Sequence, residues 1–186
     1  MNRLNNTEFY GTPEGSVMIC EDDKPLRKYE QSDRLFTESM IEHISTFYTK
    51  AFSALCSIYT PSKLNKTYFE YMIVHRFIRC NFWLYDGKKD IENGVFNFEQ
   101  VCCPLRGECK FDGIICHAEF NTNLTERELE VMRCFFNDIA EDDIADKLFI
   151  SIMTVRKHKQ NSLQKLGIKT LRDFISYAHK NKMFER

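Results

Sequence analysis

Apolar positions between residues 32 and 59 recur at helical spacing. Phe36, Met40, Ile44, Phe47, Ala51, Leu55 and Ile58 step by three or four residues, which lays one apolar stripe along a continuous helix. Ile41, Tyr48, Phe52 and Tyr59 widen the stripe, as suits a core helix or one that also pairs with a second subunit. Pro61 stops it. A second helix is predicted from about Asn65 to Cys80, apolar around most of its circumference, with His75 and Arg76 flanking the core. The period then changes. Residues 82–101 hold two short strand-like runs around Asn93-Gly94, which predicts a small β-hairpin. Residues 102–117, CCPLRGECKFDGIICH, carry Pro104, Gly107 and Gly113 and read as a loop with tight turns; residues 121–123 mark a domain boundary.

From Leu124 the pattern sharpens. Thr125 is followed three residues later by Glu128, a capping-box pair, and Leu129, Met132, Cys134, Phe135 and Phe136 supply a core face. A short helix with Ile144, Ala145 and Leu148 inward is followed by a tight turn over Phe149–Ser151. Ser151 is placed to cap a third helix that ends at Gly167. A fourth helix fits residues 170–184. Residues 1–31 are polar with scattered Gly and Pro and read as an N-terminal segment. Within them SVMICEDD (16–23) resembles the start of a phosphorylation receiver domain, but the helical pattern that follows excludes that fold and leaves a tail or an edge strand.

Composition changes this picture little until it is divided. The chain has 186 residues, 43% of them apolar, and a net charge of −1, so the total points to no polyanionic partner. Residues 124–146, however, hold two arginines against eight acids, whereas residues 147–186 hold ten basic residues against two acids. A positive field concentrated on the third helix and beyond is the footprint of a phosphate-facing surface. No apolar signal region opens the sequence and no run of about eighteen apolar residues occurs, so neither secretion nor a membrane span is expected. Eight cysteines in that context point to a reducing cytoplasm.

Two helices joined by a three-residue turn, the second basic on its exposed face, make a helix-turn-helix, whose second helix fits the DNA major groove. LTERELEVM, IADKLFIS, TVRKH and LQKLGIKTLRDFISYA together resemble the LuxR/GerE-type helix-turn-helix, the DNA-binding module of NarL/FixJ response regulators and quorum-sensing regulators. The resemblance covers about a third of the chain, and the KLGIKTLRDFISYA continuation separates it from the related region of sigma factors. It implies that Arg156, Lys157 and Gln160 reach into the major groove, with Arg suited to guanine and Gln to adenine. It also implies that Thr154, Asn161 and Lys165 meet phosphates, that Val155, Leu163 and Leu166 are core, and that His158 is structural or phosphate-contacting. Two departures stand out. Lys159 replaces a branched apolar residue, and the second helix opens with Ala140-Glu141-Asp142-Asp143 rather than a hydroxyl cap and a basic residue. Those acids would repel a phosphate. Such modules usually bind paired half-sites, so a homodimer is implied, with Phe174, Tyr177 and Ala178 as candidates for the contact.

The cysteine stretch admits three readings. Cys103, Cys109 and Cys116 are separated by five and six residues, and Cys80, to which a hairpin would return the chain, could complete a structural zinc site; Cys102 and His117 are alternative ligands. Plain burial suits small thiols, as expected for Cys56 and Cys134. A redox switch is left open by Cys102 and Cys103 with Arg106 nearby. His117-Ala118-Glu119 resembles the HAE of zinc deaminases, but the cysteines precede it and read CP instead of PC, which excludes that reading.

The expected protein is therefore mostly α-helical. A polar segment (1–31) precedes a helical N-terminal domain with a small hairpin and a cysteine-rich loop (32–120), followed by a four-helix LuxR-type domain (124–186). It is read as a bacterial, cytoplasmic transcription regulator, not an enzyme, with double-stranded DNA and RNA polymerase as partners. The alternatives are a helix-turn-helix that binds protein, or a redox- or zinc-sensing regulator.

Overall fold

The computed structural model describes residues 4, 6–22, 24–92, 94–119, 122–181 and 183–184. The chain divides into two compact units, Met1–Asn121 and Thr122–Arg186.

The first unit combines three helices with an antiparallel sheet. Strands β1 (Thr7–Gly11), β2 (Val17–Glu21), β3 (Arg27–Lys28), β4 (Ile91–Glu92) and β5 (Val95–Phe96) lie in the order β3-β2-β1-β4-β5. In β2, Val17 and Ile19 are buried while Met18 between them is half-exposed, the alternation of a strand with one covered face. Phe9 stands opposite Ile19, and both are fully buried. Gly11 packs so closely on the Trp83 ring that a Cβ would meet it at 1.8 Å, so no larger residue fits there.

Residues 7–28 thus belong to the body of the first unit and are not a segment ahead of it. The SVMIC run is neither tail nor edge, because β2 pairs with β1 on one side and β3 on the other. Asp23, at the end of the receiver-like stretch, and Asn93, in the turn signal, lie outside the described residues, as does Asn121 at the boundary. The expected hairpin is present as β4 and β5, but as the far end of a five-stranded sheet. The run Phe82–Tyr85 is not a strand; the Trp83 and Leu84 amides donate instead to Glu99 Oε2 at 2.6 and 2.9 Å.

The long helix expected over 32–59 is two helices, α1 (Arg34–Phe47) and α2 (Thr49–Ile58), broken at Tyr48 (φ −134°, ψ 52°). The hydroxyls of Ser45 and Thr46 both donate to the Glu42 carbonyl, at 3.1 and 2.7 Å. Such back-bonding bends helices, and the bend sends Tyr48 into an aromatic core. Its ring lies 5.5 Å from Phe96 and 6.0 Å from Phe77. Helix α3 (Lys66–Asn81) starts at Asn65, whose side chain accepts from the Tyr68 amide, and buries Ile73, Val74, Phe77 and Ile78.

The second unit contains α4 (Glu126–Phe136), α5 (Glu141–Leu148), α6 (Ile152–Lys165) and α7 (Leu171–Lys180). Its core is built from Leu124, Val131, Met132, Phe135, Ile144, Val155, Leu166 and Phe174, among others. The Thr125–Glu128 capping box is complete, Ser151 accepts from the Thr154 amide, and Gly167 takes the left-handed conformation just after α6 (φ 65°). The last helix ends at Lys180, short of the expected residue 184. Among the described residues no helix is long and apolar enough to cross a membrane.

Candidate nucleic-acid interface

Local chemistry fixes the α5-turn-α6 element. Phe149 closes α5 in the left-handed conformation (φ 55°, ψ 46°). The Ile150 amide donates to the Ala145 carbonyl at 3.0 Å, and Ser151 then starts α6. From α4, the Arg127 guanidinium donates to the Leu148 carbonyl at 2.6 Å, tying the end of α5 to the helix beneath. Val155 is buried and anchors α6. This leaves the opposite face of α6 outward. Arg156, Lys157 and Gln160 are exposed, and Thr154 and Asn161 are half-buried. These five and Met153 line one shallow, open depression.

Five of the six residues expected at DNA therefore share one surface. The sixth does not join them. Lys165 Nζ donates to Glu128 Oε2 at 2.7 Å, and Glu128 is only 3% exposed. Burial would push the Glu128 carboxyl up, but the Lys165 ammonium and the Thr125 amide and hydroxyl hold it below the usual carboxylate value. Lys165 is thus paired with a residue of its own unit while remaining exposed. Val155 and Leu166 are core as expected, and Leu163 is half-buried.

Met153 was not anticipated on this surface, and Glu141 was expected near it only as an acid that repels phosphate. Met153 is 72% exposed on a polar helix; its apolar side chain on the outward face was the available signal. Glu141, at the first turn of α5, accepts from Arg156 Nε at 2.7 Å and from Lys159 Nζ. The bonds from Lys159 and Arg156 lower its carboxyl below the ordinary value. Lys159, the departure from the family pattern, places its ammonium 5.2 Å from the Phe135 ring centroid. Its stem follows the core edge while its charge stays at the surface. Glu141, one of the three acids expected to repel phosphate, is thus paired with basic side chains; Asp142 and Asp143 are exposed.

Of the three fourth-helix residues expected at a subunit contact, Tyr177 is half-buried. Phe174 and Ala178 are fully buried in the core of their own unit and cannot also face a second subunit.

Of the four cysteines expected at a metal, Cys80 and Cys116 hydrogen-bond each other, and Cys103 lies close enough to act electrostatically on both. Cys109 acts on Cys116 and on Arg76. Among the described residues no group of three or more His, Cys, Asp or Glu side chains is placed to hold a metal ion. Cys102 is exposed, Cys56 half-buried and Cys134 buried.

Comparison with known proteins agrees with the second unit's geometry. Residues 122–178 match the family described as "Bacterial regulatory proteins, luxR family". The "Oxygen regulatory protein NreC" of Staphylococcus aureus strains JH9 and USA300 is 39% identical over 62 residues, which is 33% of this chain and 29% of that protein. The chain therefore matches less than a third of its curated relatives' length, and the first unit lies outside the match. No solved structure matches. Residues 122–178 are a helix-turn-helix domain of the luxR family of bacterial regulatory proteins.

Proposed function

We propose that the protein is a sequence-specific, double-stranded-DNA-binding transcription regulator of the bacterial cytoplasm that inserts α6 into the major groove. One observation carries this reading: Thr154, Arg156, Lys157, Gln160 and Asn161 share the open face of the helix that a luxR-family domain presents to DNA. Arg156 reads guanine, Gln160 reads adenine, Lys157 adds a groove or phosphate contact, and Thr154 and Asn161 hold the backbone. The chain acts as a homodimer on paired half-sites and works by recruiting or blocking RNA polymerase. The domain's family is one of regulators, and the function needs no catalytic step.

Selection of the full-length protein against a random duplex pool tests the proposal. Enrichment of a paired site is the expected outcome. Arg156→Ala with Lys157→Ala should then lower affinity for that site by at least tenfold, since each good base contact discriminates by about 1–3 kcal/mol, and should leave the helical circular dichroism unchanged. A folded wild-type protein that enriches no sequence would overturn the proposal in favour of a helix-turn-helix that binds protein, a use to which the exposed Asp142 and Asp143 are suited.

A further inference from the structure

The loop from Val101 to Glu119 contains neither helix nor strand. Ordered loops beyond about 12–15 residues are uncommon in compact domains and need something to hold them. Hydrophobic burial does not hold this one. Val101, Ile115, Cys116 and Ala118 are buried at its two ends, but nothing from residue 102 to 114 is, and Leu105 and Ile114 are exposed. The half-buried residues of that middle stretch are Cys103, Cys109, Phe111 and Asp112. Cys103 and Cys109 turn inward with Phe111 and Asp112, while Cys102, Leu105 and Ile114 face outward.

One fully buried side chain shows where the cysteines point. Asn81, the last residue of α3, donates through Nδ2 to the Ile115 carbonyl and accepts through Oδ1 from the His117 amide, both at 2.9 Å. These bonds grip the backbone on either side of Cys116 and set it beside Cys80, which precedes Asn81. The Cys80 thiol donates to Cys116, Cys103 acts electrostatically on both, and Cys109 acts on Cys116. Arg76, one turn before Cys80, hydrogen-bonds it and is electrostatically coupled to Cys109. Among the described residues its buried Nε has no hydrogen-bond partner.

We propose that Cys80, Cys103, Cys109 and Cys116 bind one zinc ion, which staples the 101–119 loop to the end of α3. Zinc takes four thiolates in a tetrahedron at about 2.3 Å. The thiols give up their protons to solvent as the dication enters, so the product is a doubly negative centre, and the Arg76 guanidinium beside it offsets that charge. Cys80 and Cys116 are already in contact. Closure asks for rotation of the half-buried Cys103 and Cys109 side chains around them. The inference does not rest on DNA binding.

The test is the metal content of the reduced full-length protein, measured by elemental analysis, and its absorption after cobalt(II) exchange. One zinc per chain and an intense thiolate-to-cobalt band with tetrahedral visible absorption are expected. Cys80→Ser and Cys109→Ser should each lose the metal, whereas Cys102→Ser and Cys56→Ser should keep it. Wild-type protein that is metal-free and gives no cobalt–thiolate band would overturn the site whatever the variants do. So would retention of full zinc by Cys109→Ser, or a Cys80–Cys116 disulfide as the native form.

Discussion

Glu141 and Lys165 show how much depends on where a single charge ends up. Glu141 orients Arg156 through a 2.7 Å bond from Nε, so an arginine with many rotamers is offered to DNA in one of them. The same carboxylate opposes the approach of phosphate. Glu141→Gln should therefore raise affinity for random DNA severalfold and narrow the ratio between specific and random sites. Competition binding with selected and scrambled duplexes reads both. Stability should hardly change, since exposed ion pairs contribute little. Lys165 is the opposite case. Its partner Glu128 is buried, and Lys165→Ala leaves that carboxylate with Thr125 alone. The second unit should lose about 1–3 kcal/mol, less than a fully buried pair would cost because Lys165 is partly exposed, visible as a lower thermal midpoint in the absence of DNA. An unchanged midpoint with weaker DNA binding would return Lys165 to the phosphate backbone. The depressed Glu128 carboxyl gives this stabilisation a pH window: it is present above the ordinary value of 4.5 and disappears as pH falls through the lowered one.

Among elements, legibility followed sequence distance. The starts of α4 and α6 are set by residues three apart, Thr125 with Glu128 and Ser151 with the Thr154 amide, and the end of α6 by Gly167 just after it. Those signals can be read in order along the chain. The sheet could not be read that way, because Thr7 pairs with Ile91 and β3, β4 and β5 are two residues long, too short to show alternation. The α1–α2 break was hidden because the apolar stripe runs through it unbroken; the signal was the Ser45-Thr46 pair, whose hydroxyls turn back on Glu42. The Glu141 clamp joins two helices and leaves no local mark. Where α1 meets β5, His43 lies 4.4 Å from the Phe96 ring centroid and its Nε2 is buried without a hydrogen-bond partner among the described residues. Burial lowers this imidazole from 6.5 to about 4. The unfolded chain then binds the extra proton first, so the packing is at full strength above pH 6.5 and is lost as pH falls toward 4. Between pH 7 and pH 4.5 the thermal midpoint of the first unit should therefore fall further in the wild type than in His43→Leu, the difference between the two curves being the His43 contribution.

At the scale of the whole molecule, net charge misleads. A chain at −1 with an isoelectric point near 6.5 would be expected to ignore a polyanion at neutral pH. Its acids and bases are instead segregated along the second unit, eight acids against two arginines before residue 147 and ten bases against two acids after it. Charges act on DNA over about a Debye length, roughly 8 Å at physiological salt, so a phosphate next to α6 meets the local side chains and not the molecular total. Binding to duplex DNA should therefore weaken steeply as salt rises, and the logarithm of the binding constant should fall linearly with the logarithm of salt concentration. The slope counts the phosphates neutralised. Lys157→Ala should reduce it by about one if Lys157 meets the backbone, and leave it unchanged while relaxing sequence preference if Lys157 meets a base. Arg156→Ala should follow the second pattern. A binding constant indifferent to salt would mean that the basic surface of the second unit does not face phosphate at all, and that its helix-turn-helix is used on a partner other than DNA.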